Sequence, residues 1–187
     1  MTTSSLQKDR EELLSLIKKN AYFKEKIILS SGKESDYYID ARRVTLMPQG
    51  AYLSAKIILE MVKNFKFDAI GGPTLGADPL IGALGVLSLQ AGRSCNNFII
   101  RKAPKAHGKQ QQIEGPEIKE GSRVILIDDV ATTGKAFLES LDVLEKMKVS
   151  VVKAICIVDR GEGAKEALAK RGCELVSIFN ISEIHSK

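Results

Sequence analysis

The sequence predicts an α/β domain built on a parallel sheet, and three observations carry that expectation. From Pro48 onward, helix-length and strand-length segments alternate. The clearest strand, Val124-Ile125-Leu126-Ile127, is an unbroken apolar run of the kind buried on both faces of a sheet. With 187 residues, 44% of them hydrophobic, the chain is long enough to bury one substantial core.

The first twenty residues read as an amphipathic helix, with Ser4 or Ser5 as its cap and Leu6, Leu13, Leu14 and Ile17 on one face. Ile27-Ile28-Leu29 and Tyr37-Tyr38-Ile39 flank the turn-forming Ser30-Ser31-Gly32-Lys33, which predicts a small hairpin or hood. Pro48 suits the first turn of a helix running to about Asn64. A strand Ala69–Gly71, a loop Gly72–Asp78, an apolar core helix Pro79–Gln90 and a strand Asn97–Ile100 follow. Arg101 to Gly121 is a polar connection too long to be an idle loop in a compact domain, which suggests a lid or binding loop. After the strand Arg123–Ile127 come a helix Lys135–Lys148, a strand Val151–Val158, a helix Glu162–Arg171 and a closing strand Glu174–Phe179.

Composition removes several function classes. No apolar run reaches the ~18 residues a membrane span needs, and the first ten residues lack the basic-then-apolar pattern of a secretory signal. Cys95, Cys156 and Cys173 fit neither a disulfide framework nor metal-ligand spacing, so buried thiols in a reducing, cytoplasmic setting are expected. His185 has no companion at metal-ligand spacing and reads as a solvated residue of a polar tail. Net charge is 28 minus 23, or +5, and Arg93, Arg101, Lys102, Lys105 and Lys109 fall in one segment without an acid. The excess is therefore focused, as a site for a polyanion would be.

The chemistry concentrates in RVILIDDVATTGKAF, from Arg123 to Phe137. Ligands of parallel sheets bind beyond the carboxyl ends of the strands, where Asp128 and Asp129 would accept hydroxyl hydrogen bonds or face a cation. The following loop offers backbone N–H groups, the hydroxyls of Thr132 and Thr133, and a helix start, a combination suited to a phosphate monoester. The bland reading is a solvated strand tip. A nucleoside triphosphatase is disfavoured, because Gly134-Lys135 is followed by Ala136 and the upstream glycine position holds Asp129. No GxGxxG follows a strand, which removes a dinucleotide site.

This segment resembles the phosphoribosyl-diphosphate (PRPP) motif of the type I phosphoribosyltransferases. The resemblance implies their fold: a central twisted parallel sheet flanked by helices, with a small N-terminal hood. It further implies one domain over 1–187, with helix and hood over about 1–45, a core over about 46–187 and a mobile loop over 101–115. Mg²⁺-supported transfer of a 5-phosphoribosyl group to a nitrogen nucleophile is the implied activity, with the metal held mainly by PRPP near Asp128 and Asp129. PRPP would be bound by Asp128, Asp129, Val130, Ala131, Thr132, Thr133, Gly134, Lys135 and Ala136, and by Thr74 and Gly76 of the diphosphate loop Gly72–Ala77.

RKAPKAHGKQQQIEG, from Arg101 to Gly115, resembles the RKxxKxHG catalytic loop of the orotate-using branch of that family, which carries catalytic roles onto Arg101, Lys102, Lys105 and His107. SSGKESDYYIDAR, from Ser30 to Arg42, and Asp159-Arg160-Gly161 resemble its substrate-side segments. Orotate would then meet Arg160, Thr132, Tyr37 and Tyr38, although the two tyrosines read more readily as packing groups, with one of them at most lining the base pocket. Some members carry lysines where this chain has Ser30 and Gly76, leaving Lys33 as the basic residue of the first segment. The implied reaction yields orotidine 5'-phosphate and diphosphate in pyrimidine synthesis, through an oxocarbenium-like transition state. His107 either handles a proton or hydrogen-bonds the diphosphate. A homodimer whose loop reaches the neighbouring site is also implied. A transferase for another base, and a regulator that keeps the fold but binds nucleic acid, are the alternatives.

Overall fold

The computed structural model describes residues 3–28, 34–103 and 112–185. Lys33, Lys105, His107 and Lys109 lie outside the described residues. Helix α1 (Thr3–Asn20) begins at Thr3, so Ser4 and Ser5 sit inside it rather than capping it. The hood is two short antiparallel ladders: β1 (Tyr22–Phe23) with β4 (Tyr38–Ile39), and β2 (Ile27–Ile28) with β3 (Glu34–Ser35). Tyr38–Ile39 therefore pairs with Tyr22–Phe23 and not with Ile27–Ile28. Ser35 accounts for the break between the ladders, since its hydroxyl donates to the Tyr37 carbonyl (2.8 Å) and bends the chain there. A short α2 (Arg42–Thr45) leads to α3 (Pro48–Met61).

The main sheet contains β5 (Ala69–Pro73), β6 (Asn96–Ile100), β7 (Ile113–Glu114), β8 (Arg123–Ala131), β9 (Ser150–Asp159) and β10 (Leu175–Asn180), in the order β10-β9-β8-β5-β6-β7. All neighbours are parallel except β6 and β7. The polar connection is thus not structureless: Ile113 and Ile100 pair across the sheet edge. Helices α4 (Asp78–Gln90), α5 (Lys135–Lys146) and α6 (Ala164–Ala169) connect the strands, and α7 (Ile181–His185) ends the described chain.

The period of two along β8 sorts the core. Ile125 and Ile127 join α1, α3 and α4 on one face, through Leu13, Ile17, Ile58, Leu80 and Leu84. Val124 and Leu126 meet α5 and α6 on the other, through Phe137, Leu141, Leu144 and Leu168. Helix α4 is less buried than its composition suggests, with Val86 and Leu89 exposed. Cys156 and Cys173 are buried, Cys95 is half-buried, and all three are free. No helix among the described residues is long and apolar enough to cross a membrane.

Candidate active site

Chain direction across the sheet creates the crevice. From β5 the chain moves through α4 to β6 on one side, whereas β8, β9 and β10 build out on the other. The loops beyond β5 and β8 therefore diverge, which is the switch point where open α/β sheets bind ligands. Pairing between β5 and β8 stops at Gly71 and Leu126, while β8 stays paired with β9 as far as Ala131 and Asp159. Asp128 and Asp129 consequently lie within β8, not beyond its end as the apolar run suggests. The longer β9 keeps their backbone paired after the β5 edge has opened.

A cleft of about 560 Å³ sits there, lined by Asp128, Asp129, Val130, Thr132, Thr133, Ala136, Thr74, Gly76, Lys102, Arg160 and Tyr38. Asp128 is only 7% exposed. Its Oδ1 accepts from the Asp129 N–H (2.9 Å), and Asp129 Oδ1 accepts from the Val130 N–H (2.7 Å). Burial, then repulsion from Asp129, holds the Asp128 carboxyl well above the usual carboxylate range. Asp129 is also raised, chiefly by burial, against the pull of the Val130 N–H and the Arg42 charge. Gly76 packs against this pair: a Cβ at that position would stand 2.4 Å from Oδ1 of each aspartate.

The peptide between Thr74 and Leu75 is cis. Thr74 is fixed from both sides, its N–H donating to the Ile100 carbonyl (2.9 Å) and its hydroxyl to Asp78 Oδ2 (2.8 Å). Gly134 adopts φ +81°, and a Cβ there would lie 2.8 Å from Leu168 Cδ1, so the turn into α5 needs glycine both for its backbone and for space. Lys135 points to solvent beside Glu139 (3.8 Å). Lys102 lines the cleft, whereas Arg101 pairs with Glu114 (3.2 Å) across the β6–β7 edge and lines an adjoining groove.

Arg160 follows β9 directly, and its N–H donates to the Ala131 carbonyl (2.9 Å), which brings it beside the β8 carboxylates. Arg160 is only 7% exposed and lines the cleft. Tyr37 does not line that cleft; its ring lies 4.7 Å from the Arg160 Cζ. His185 is exposed but not merely solvated, because its ring meets Tyr37 edge-on at 4.6 Å. Asp40 and Arg42, joined at 2.8 Å, also line the cleft and were not singled out by the sequence reading. Their place at the end of the Tyr37–Arg42 motif, entering a helix, was the available signal.

Residues 47–185 match the Phosphoribosyl transferase domain family, the class that the paired carboxylates and anion-binding turn at a parallel-sheet crevice define. The orotate phosphoribosyltransferase of Aquifex aeolicus (strain VF5) is 41% identical over 186 residues, covering 96% of this chain and 99% of that protein. The Mycobacterium tuberculosis H37Rv orotate phosphoribosyltransferase, in complex with Fe(III) dicitrate, superposes with a TM-score of 0.84 at 35% identity, over 95% of this chain and 99% of that one. The same enzyme in complex with PRPP gives a TM-score of 0.79 at 31% identity, with coverage of 95% and 99%. The chain belongs to the orotate phosphoribosyltransferases of the type I phosphoribosyltransferase family.

Proposed function

We infer that this protein transfers the 5-phosphoribosyl group of PRPP to orotate, releasing diphosphate and orotidine 5'-phosphate, in pyrimidine biosynthesis. The observation that carries the reading is a buried guanidinium, Arg160, facing the same cleft as the buried carboxylates Asp128 and Asp129. The guanidinium suits a planar carboxylate, and the carboxylates suit a sugar diol.

In this reading Asp128 and Asp129 accept hydrogen bonds from the ribose hydroxyls and orient the sugar. The N–H groups and hydroxyls from Ala131 to Ala136, at the start of α5, hold the 5-phosphate, and Lys135 adds charge nearby. Thr74 and Gly76 lie along the diphosphate. Arg160 takes the orotate carboxylate, with Thr132 and Tyr38 beside the base. Lys102, joined by Arg101 and Lys105 of the same basic segment, stabilises charge growing on the departing diphosphate, each contact contributing about 1.5–3 kcal/mol in a closed site. His107 hydrogen-bonds the diphosphate.

The donor set fits Mg²⁺ in one way. Among the described residues no group of three or more His, Cys, Asp or Glu forms a protein cage for a metal. Asp128 and Asp129 offer two hard oxygen ligands, which suits a hydrated cation bound chiefly through substrate phosphates. When bound, Mg²⁺ neutralises diphosphate charge.

A homodimer is part of the proposal, supported by exposed apolar side chains: Leu46, directly after α2, and Val86 and Leu89 of α4, which packs against α2. The free cysteines support a reducing cytoplasmic setting. The test is orotate consumption with PRPP and Mg²⁺, beside adenine, hypoxanthine, guanine and uracil. Orotate loss matched by diphosphate release is expected. Turnover of another base instead would move the substrate, and inactivity with all five would refute the enzyme.

A further inference from the structure

Arg160 lines the 560 Å³ cleft, but the contacts that hold its guanidinium come from three residues that do not. Ser35, Tyr37 and Glu162 line a second cavity of about 610 Å³, together with Tyr22 and His185. Arg160 Cζ stands 4.7 Å from the Tyr37 ring centre, Nη2 donates to Ser35 Oγ (3.3 Å), and Nε lies 2.9 Å from Glu162 Oε1. The Glu162 contact is an ion pair outside hydrogen-bond geometry, since Nε has no hydrogen-bond partner. Glu162 therefore balances the buried charge without fixing the direction of the N–H group. A flat ring against a flat cation restricts tilt, which an ion pair of that geometry does not.

Tyr37 is itself held. His185, at the end of α7, meets its ring edge-on at 83°, and Tyr22 packs at 5.9 Å with a 34° tilt. Tyr22 and His185 are 5.3 Å apart, closing a three-ring cluster. Helix α7 is anchored in turn, by the Arg10–Glu183 ion pair and by buried Ile184. Helix α7, held by α1, and the hood thus converge on one ring that does not line the cleft.

We propose that Tyr37, buttressed by His185 and Tyr22, is a positioning residue that sets the plane of the Arg160 guanidinium and so the preference for a nucleobase bearing a carboxylate. Two-pronged recognition of a carboxylate needs two N–H groups in one plane, and a tilted guanidinium keeps its charge but loses one of them. The proposal rests on the orotate reading, and it gives Tyr37 a role through Arg160 instead of against the base.

The test is steady-state kinetics of Tyr37→Leu, Tyr37→Phe and His185→Ala, each also placed in an Arg160→Lys background, with melting curves as the folding control. Tyr37→Leu should raise KM for orotate on the order of 5- to 10-fold, with kcat and KM for PRPP within about twofold. Tyr37→Phe, which keeps the ring, should restore the parent value, and His185→Ala should show a smaller rise of the same kind. In Arg160→Lys, whose point charge has no plane to set, Tyr37→Leu should add nothing. An equal rise in both KM values, a Phe variant as impaired as Leu, or an undiminished effect in Arg160→Lys would overturn the proposal. Should Tyr37→Leu not fold, His185→Ala at the exposed end of α7 carries the same comparison. Absence of orotate turnover in the parent protein would instead remove the functional reading itself.

Discussion

Gly76→Ala is the sharpest probe of the carboxylate pair, because its consequence is set by geometry. The added Cβ would lie 2.4 Å from Asp128 Oδ1 and from Asp129 Oδ1, and 2.8 Å from Asp129 Cγ. Ordinary contact begins near 3.4 Å, so both carboxylates or the loop must retreat by about 1 Å. The carboxylates cannot swing away freely: each is tied to a backbone N–H, and Asp128 is buried. A misplacement of about 1 Å in groups that orient a substrate lowers rates by roughly 10²-fold, or about 2.7 kcal/mol. The overpacking itself should cost about 1–3 kcal/mol of stability, a loss of roughly 2–12 °C in Tm. The assay is kcat/KM for PRPP under saturating orotate, with a melting curve on the same preparation. A folded Gly76→Ala protein within threefold of the parent would refute the placement of the sugar against these carboxylates.

Asp128→Asn should weaken PRPP binding yet stabilise the ligand-free protein at neutral pH by roughly 1 kcal/mol, a rise of about 2–4 °C in Tm. The Asp128 carboxyl sits above its usual value of 3.8, so its contribution to stability is fully present below that pH and is lost as pH rises through the raised value. Melting curves against pH should therefore fall less steeply above pH 4 in Asp128→Asn than in the parent, and parallel curves would contradict the raised value. Gly134→Ala adds a side chain at φ +81° against Leu168 and should remove at least about 2 kcal/mol, or some 4–8 °C of Tm; an unchanged Tm would show that the turn relaxes. Lys105→Ala and Arg160→Ala proteins, each nearly inactive alone, should regain one working site per mixed dimer if the basic loop acts on the partner. Equal inactivity in verified mixed dimers would place the loop over its own site.

What the sequence made legible follows from which physical signals are local. Val124 to Ile127 announces a central strand because burial on both faces leaves no polar residue to interrupt it. The same rule hides the rest of β8. Two aspartates look like a strand end, and only the length of β9, with Val158 opposite Val130, keeps their backbone in the ladder. Ile113–Glu114 is too short to show an alternation, and it becomes a strand only by pairing with Ile99–Ile100. The tail reads as polar because Ser182, Glu183 and His185 surround a single buried Ile184. Its role lies in contacts with Arg10, Tyr22 and Tyr37, more than 140 positions away in the chain. Motif resemblance singled out Thr74, Asp128, Asp129, Gly76 and Arg160, but not the neighbours that hold two of them, Asp78 beside Thr74 and Glu162 beside Arg160.

Those neighbours show where the binding free energy resides. Asp128 is buried beside the partly buried Asp129, with two backbone N–H groups and the Arg42 charge as their compensation. Burial raises the proton affinity of both. Hydroxyl donors and a cation brought by a ligand favour the charged form of these carboxylates, so binding and their ionisation are coupled. Arg160 follows another rule: its charge is balanced by Glu162, and its guanidinium lies over the Tyr37 ring. The carboxylates thus carry a burial cost that is only partly compensated, whereas the Arg160 charge is paired, which is why substitutions at Asp128 should trade binding for stability while those at Tyr37 should change substrate preference.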